Sequence, residues 1–84
     1  MSAQHTKGSW SLNGNLIEGP DGETIAYITA YSRLTPKQKA NARLIAAAPE
    51  LLGALKRAKR HLSVYSEEFD MAEQAIAKVE GGAA

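Results

Sequence analysis

Hydrophobic and polar positions change rhythm twice along the chain. Residues 1–9 are polar, contain Gly8 and show no period, and are read as a flexible N-terminal arm. From Trp10 the period is two. Trp10 and Leu12 alternate with Ser11, and Asn13-Gly14 follows. Asn-Gly between alternating segments predicts a tight hairpin with both turn residues at positive φ. Residues 15–18 supply the second strand. In Gly19-Pro20-Asp21-Gly22, Pro presets φ, Asp suits the next position and Gly22 takes a left-handed bulge position. A third strand is predicted over 23–30, with Ile25, Tyr27 and Thr29 on one face and Ala26, Ile28 and Ala30 on the other. Both faces are partly apolar. One is therefore expected to cover helix, and the other to stay half exposed or meet a partner.

The texture becomes helical at Thr35-Pro36, where Thr suits the N-cap and Pro the first helical position. The first helix is predicted over 36–47, with Leu44, Ile45 and small alanines turned inward. Pro49 interrupts it, makes Ala48 a boundary and restarts a helix with Glu50 in its first turn. Leu51, Leu55, Ala58, Leu62, Tyr65, Phe69, Ala72, Ile76 and Val79 then recur at steps of four and three until Gly81-Gly82. Two readings of this stripe are open. One is a continuous helix of roughly thirty residues. The other is a helical hairpin turning at residues 63–66, with Ser66 as N-cap and Glu67 and Glu68 in the first turn. The predicted class is α+β: a short antiparallel three-stranded meander followed by two or three α-helices, the last long or a helical hairpin. A single domain over 10–80 and a disordered tail over 81–84 complete the expected organisation.

At 84 residues the chain has room for one small domain, which buries only about 60–65% of its unfolded surface. Fifteen residues are alanine, favouring helix but burying little area, so close helix packing or a partner subunit is expected. Cysteine is absent, which removes disulfides, thiolate zinc sites and thiol catalysis together. No apolar run approaches the ~18 residues of a membrane span, and no signal-peptide core is read at the N-terminus.

The net charge of +1 is unevenly distributed: −2 over residues 1–32, +7 over 33–61 and −4 over 62–84. The run Lys56-Arg57-Ala58-Lys59-Arg60-His61 precedes the acidic segment directly. Three accounts compete. The run is a solvated helix face; or it meets the acids of the folded-back helix or of a second copy; or it neutralises nucleic-acid phosphates. The neighbouring acids oppose the last.

Candidate chemistry is sparse. His5 and His61 are isolated, with no carboxylate at ligand spacing. The serines lack a nucleophile elbow, and Gly14, Gly19 and Gly22 are explained by turns. Glu67, Glu68, Asp70 and Glu73 are better placed as a helix start than as a catalytic cluster. The expectation is a protein without enzymatic activity, cofactor or metal.

The stretch Ala40-Asn41-Ala42-Arg43-Leu44-Ile45-Ala46-Ala47-Ala48-Pro49-Glu50-Leu51-Leu52-Gly53-Ala54-Leu55 resembles a signature of small bacteriophage and prophage proteins of uncharacterised function. Gly8-Ser9-Trp10, Ile25-Ala26-Tyr27 and the ending at residues 75–81 are similar to theirs as well. The resemblance implies a phage-encoded accessory protein acting in the host cytoplasm, and it carries over no catalytic residue. Small phage proteins often act stoichiometrically on host machinery, anti-CRISPR and other anti-defence inhibitors included. The expected partner is a host protein complex, such as a CRISPR or other defence effector. The candidate contact residues are Tyr27, Tyr31, Arg33, Lys37, Arg43, Lys56, Arg57, Lys59 and Arg60. The rival is a DNA-binding regulator that uses the basic patch, with Lys39 added. Leu55, Leu62, Tyr65, Phe69 and Ile76 are the expected seam of a homodimer.

Overall fold

Two turns shape the N-terminal half of the protein. The computed structural model describes residues 5–29 and 33–81. Strands β1 (Ser11–Asn13), β2 (Leu16–Glu18) and β3 (Thr24–Tyr27) form an antiparallel sheet in the order β1-β2-β3. Asn13 pairs with Leu16, so the first loop consists of Gly14 and Asn15. Gly14 has φ 64°, and no described residue other than glycine has positive φ. This is the type II′ pattern, one residue later than the Asn13-Gly14 turn expected from sequence. It needs a single left-handed residue, which Gly supplies without a steric cost. Asn13 is thereby kept in the ladder, where its Nδ2 donates to Glu18 Oε1 at 3.1 Å.

The second turn forms as its residues dictate. Gly22 N–H donates to the Gly19 carbonyl at 3.1 Å, Gly19 N–H donates to the Glu23 carbonyl at 2.8 Å, and Gly22 has φ 83°. Ile17 pairs with Ala26 but Glu18 pairs with Thr24, which leaves Ile25 as the bulged residue. The bulge breaks the alternation expected along β3. Ile25 and Ala26 are both half-buried, whereas Tyr27 is exposed. β3 is also shorter than the expected 23–30, and Ala30 lies outside the described residues.

Helix α1 (Pro36–Ala46) begins at a capping box. Thr35 Oγ1 accepts from Gln38 N–H at 3.1 Å, and Gln38 Oε1 accepts from Thr35 N–H at 2.8 Å. Gln38 Nε2 also reaches the Thr29 carbonyl at 3.3 Å. α1 packs on β1 and β2. Ile17 and Ala42 are fully buried, and Gln38 and Ala46, one turn to either side of Ala42, are half-buried. The inward stripe is therefore Gln38, Ala42 and Ala46, and not Leu44 and Ile45, which are 63% and 38% exposed. A face of small side chains lets the helix lie close to the sheet, and the bulky pair is turned away by the helical period. Ala47 closes α1, donating its N–H to the Arg43 carbonyl at 2.9 Å. α2 (Ala48–Lys59) starts at once, with Pro49 in its first turn.

The stripe from Leu51 to Val79 is divided between two helices, α2 and α3 (Glu67–Glu80), so the continuous-helix reading is wrong and the hairpin reading is right. α2 tightens at its end: Arg60, His61 and Leu62 donate to the carbonyls of Arg57, Ala58 and Lys59, each three residues back. Serines then supply the stop and the new start. Ser63 Oγ accepts from Tyr65 N–H at 3.2 Å. Ser66 Oγ donates to the Ser63 carbonyl at 2.7 Å and accepts from Phe69 N–H at 3.1 Å, capping α3. Glu67, Glu68 and Asp70 fill the first turn, where the helix dipole favours them. Gly81 ends α3 at φ 65°; Gly82 lies outside the described residues. The chain thus forms two compact units: Thr6–Glu50, strands plus α1, and residues 51–81, the helical hairpin.

Candidate functional site

The candidate contact residues are distributed over three places. Tyr27 ends β3, an edge strand, and is 66% exposed. Its sequence companion Tyr31 lies outside the described residues, and Arg33 is exposed just ahead of the Thr35 cap. On α1, Lys37, Lys39 and Arg43 are all exposed. Lys39 and Arg43 stand four residues apart on one face and Lys37 is on another, so α1 carries no single basic face.

The dense basic run of α2 divides into two pairs. Lys56 forms an ion pair with Glu80, and Lys59 Nζ lies 2.5 Å from Glu73 Oε1. Lys59 also stands over the Phe69 ring, 5.6 Å from its centroid. The order of these pairings, Lys56 with Glu80 and Lys59 with Glu73, is antiparallel. Arg57 and Arg60 point elsewhere and are exposed. Complementarity between the basic and acidic segments is thus realised inside the chain, and half of the basic run serves to fasten the hairpin. Each of these pairs is partly solvated, so it fixes register more than it adds stability.

The expected seam residues fall on the same hairpin. Ile76 is buried within its own chain, Leu55, Leu62 and Phe69 are half-buried, and Tyr65, in the connection, is 95% exposed. Leu52, Ala72 and Ile76 are the buried side chains of this unit. Several apolar residues outside the candidate set remain at the surface: Leu51 on α2, and Met71 and Val79 on α3, are 52%, 63% and 60% exposed. Leu51 and Val79 belong to the four-three pattern in the sequence. Only the fold-back shows that this pattern is wider than the contact it fills.

Among the described residues no group of three or more His, Cys, Asp and Glu side chains is placed to hold a metal ion, and no helix is long and apolar enough to cross a membrane. No curated protein and no solved structure matches the chain. One family model does match, over residues 1–83, nearly the whole sequence, so the phage resemblance extends well beyond the segment around Pro49. The chain belongs to the family described as Salmonella phage P22 protein Y8K6.

Proposed function

We propose that the protein is a non-enzymatic phage accessory protein that acts in the host cytoplasm by docking on a host protein complex. The observation that carries this reading is the unequal use of the two candidate surfaces. Lys56 and Lys59 are engaged by Glu80 and Glu73, which weakens the basic run as a track for phosphates. Among the described residues Tyr27 makes no such pairing, and it stands exposed at the end of β3, an edge strand. Tyrosine offers a large, stiff contact surface with a polar tip and is enriched where binding energy concentrates. Anti-defence inhibition, an anti-CRISPR role included, is the specific form we propose, by analogy with other small phage proteins that act in fixed stoichiometry on host machinery.

Affinity capture from extract of the phage's bacterial host, with and without nuclease, tests the reading. The expected result is a host complex held in fixed stoichiometry after nuclease, with retention reduced at least ~10-fold by Tyr27→Ala. Loss of all captured protein after nuclease, together with steeply salt-dependent duplex binding that falls on Arg57→Ala and Arg60→Ala, supports the DNA-binding regulator instead. For the anti-defence form, expressing the protein in a strain with an intact defence system should restore plating of a phage which that system restricts.

A further inference from the structure

The three asparagines of the chain, Asn13, Asn15 and Asn41, are all exposed. They differ in the backbone nitrogen that follows each. Asn41 is followed by Ala42, fully buried in α1, whose N–H belongs to the helix. Asn15 is followed by Leu16, which pairs with Asn13 across the two-residue loop, so its N–H belongs to the β1–β2 ladder. Asn13 is followed by Gly14. The Gly14 N–H makes no hydrogen bond among the described residues, and no side chain shields it. A Cβ built on Gly14 would meet nothing within 4 Å, so the peptide is open to solvent. An asparagine Cγ sits within ring-closing reach of the nitrogen of the next residue. We propose that Asn13-Gly14 is a site of spontaneous deamidation, restrained by Glu18, whose product loosens the β1–β2 hairpin.

The chemistry needs only water. Base removes the Gly14 amide proton, and the nitrogen attacks Asn13 Cγ. The new N–Cγ bond closes a succinimide ring, the Cγ–Nδ2 bond breaks, and Nδ2 leaves as ammonia with a proton from water. Water then opens the ring at either carbonyl. Breaking the new N–Cγ bond gives aspartate. Breaking the bond from Gly14 N to the Asn13 backbone carbonyl carbon gives isoaspartate, with the main chain running through Cγ and longer by a carbon. Glu18 restrains the first step. Asn13 Nδ2 donates to Glu18 Oε1 at 3.1 Å, which holds the carboxamide across the strands and away from Gly14 N. Ring closure also needs Asn13 to leave its pair with Leu16, the last rung before the loop and the first to fray. The product reverses the part Glu18 plays. A donor is lost, and a carboxylate faces a carboxylate on neighbouring strands, which is repulsive. The disturbed rung continues to Tyr27, because Leu16 pairs with Asn13 on one side and Tyr27 on the other.

Peptide mapping by mass spectrometry, after incubation of the intact chain in mildly alkaline buffer, tests the proposal. Asn13 should gain the mass of an amino-to-hydroxyl exchange, as a mixture of aspartate and isoaspartate, well ahead of Asn15 and Asn41 in the same sample. Glu18→Ala should speed the conversion about 2–10-fold, the range set by one net hydrogen bond, while Glu18→Gln keeps an oxygen at the same reach and should stay near the wild-type rate. Asn41, inside α1, should keep its amide in both variants, which separates release of Asn13 from unfolding of the whole chain. Asn13→Asp carries the charge without the longer backbone and should lower the thermal midpoint at neutral pH. The proposal is overturned by an Asn13 that converts no faster than Asn15 and Asn41, by a Glu18→Ala rate equal to that of the wild type, or by an Asn13→Asp variant as stable as the wild type.

Discussion

In the Thr6–Glu50 unit the chain is folded by local backbone chemistry, whereas in residues 51–81 it is folded by the ends of its helices. The first unit has two hairpin turns, each with its left-handed glycine, a bulge at Ile25 and a capping box at Thr35. Its core is compact and centred on Ile17 and Ala42. The second has one long apolar pattern that permits two folds, and the serines at 63 and 66 decide between them. Turn residues act through conformations that few other residues adopt. A four-three pattern acts through burial, and burial is equally available in a straight helix with a partner and in a hairpin without one.

The contrast is tested most severely at the core of the first unit. Ile17→Ala should cost about 2–5 kcal/mol, a large part of the stability of so small a fold. Denaturation followed by Trp10 fluorescence checks this, because the protein's one tryptophan lies in that unit. Next, the glycines of the two units should respond with opposite sign. Gly14→Val places a β-branched residue at φ 64° and should cost about 1–2 kcal/mol. Gly53→Ala, in α2 where an added Cβ meets nothing within 4 Å, should stabilise by about 0.5–1 kcal/mol. Equal responses in thermal melts would remove the distinction between the units.

Legibility from sequence follows the same division. Thr35-Pro36 and the Ser66 cap are readable because each places one side-chain oxygen against one nearby backbone N–H, and the turn ending in Gly22 because its backbone needs a left-handed residue. The Asn13-Gly14 turn is displaced by one residue because type I′ and type II′ loops both accept Gly, and strand register makes the choice. Leu44 and Ile45 are misplaced because the helical period marks a face without saying which face meets the sheet. Small side chains won that contact through Ala42. Among the candidate contact residues, Tyr27 lies at the surface as expected. The division of the basic run into paired lysines and free arginines required the antiparallel partners Glu73 and Glu80, up to 24 residues away.

Two smaller effects sharpen the account of the helical unit. Ser66→Ala removes the side-chain oxygen that accepts from Phe69 N–H and should cost about 1 kcal/mol, with faster hydrogen exchange at the Phe69 amide. Lys59→Met breaks a partly solvated ion pair and keeps the aliphatic cover, so the change in unfolding free energy should stay below ~1 kcal/mol. A much larger loss would mean that the ion pair, and not the apolar contact, holds the hairpin.

The central claim is that residues 51–81 fold back on themselves within one chain. A distance between spin labels at Ala54→Cys and Val79→Cys, both exposed, tests it directly, since the sequence has no cysteine of its own. Diluting the doubly labelled chain in unlabelled protein isolates the distance within one molecule. Side-by-side helices place the two backbones about 10–15 Å apart and the labels within about 20 Å. A continuous helix would separate the same positions by about 37 Å, and a distribution centred there would contradict the account.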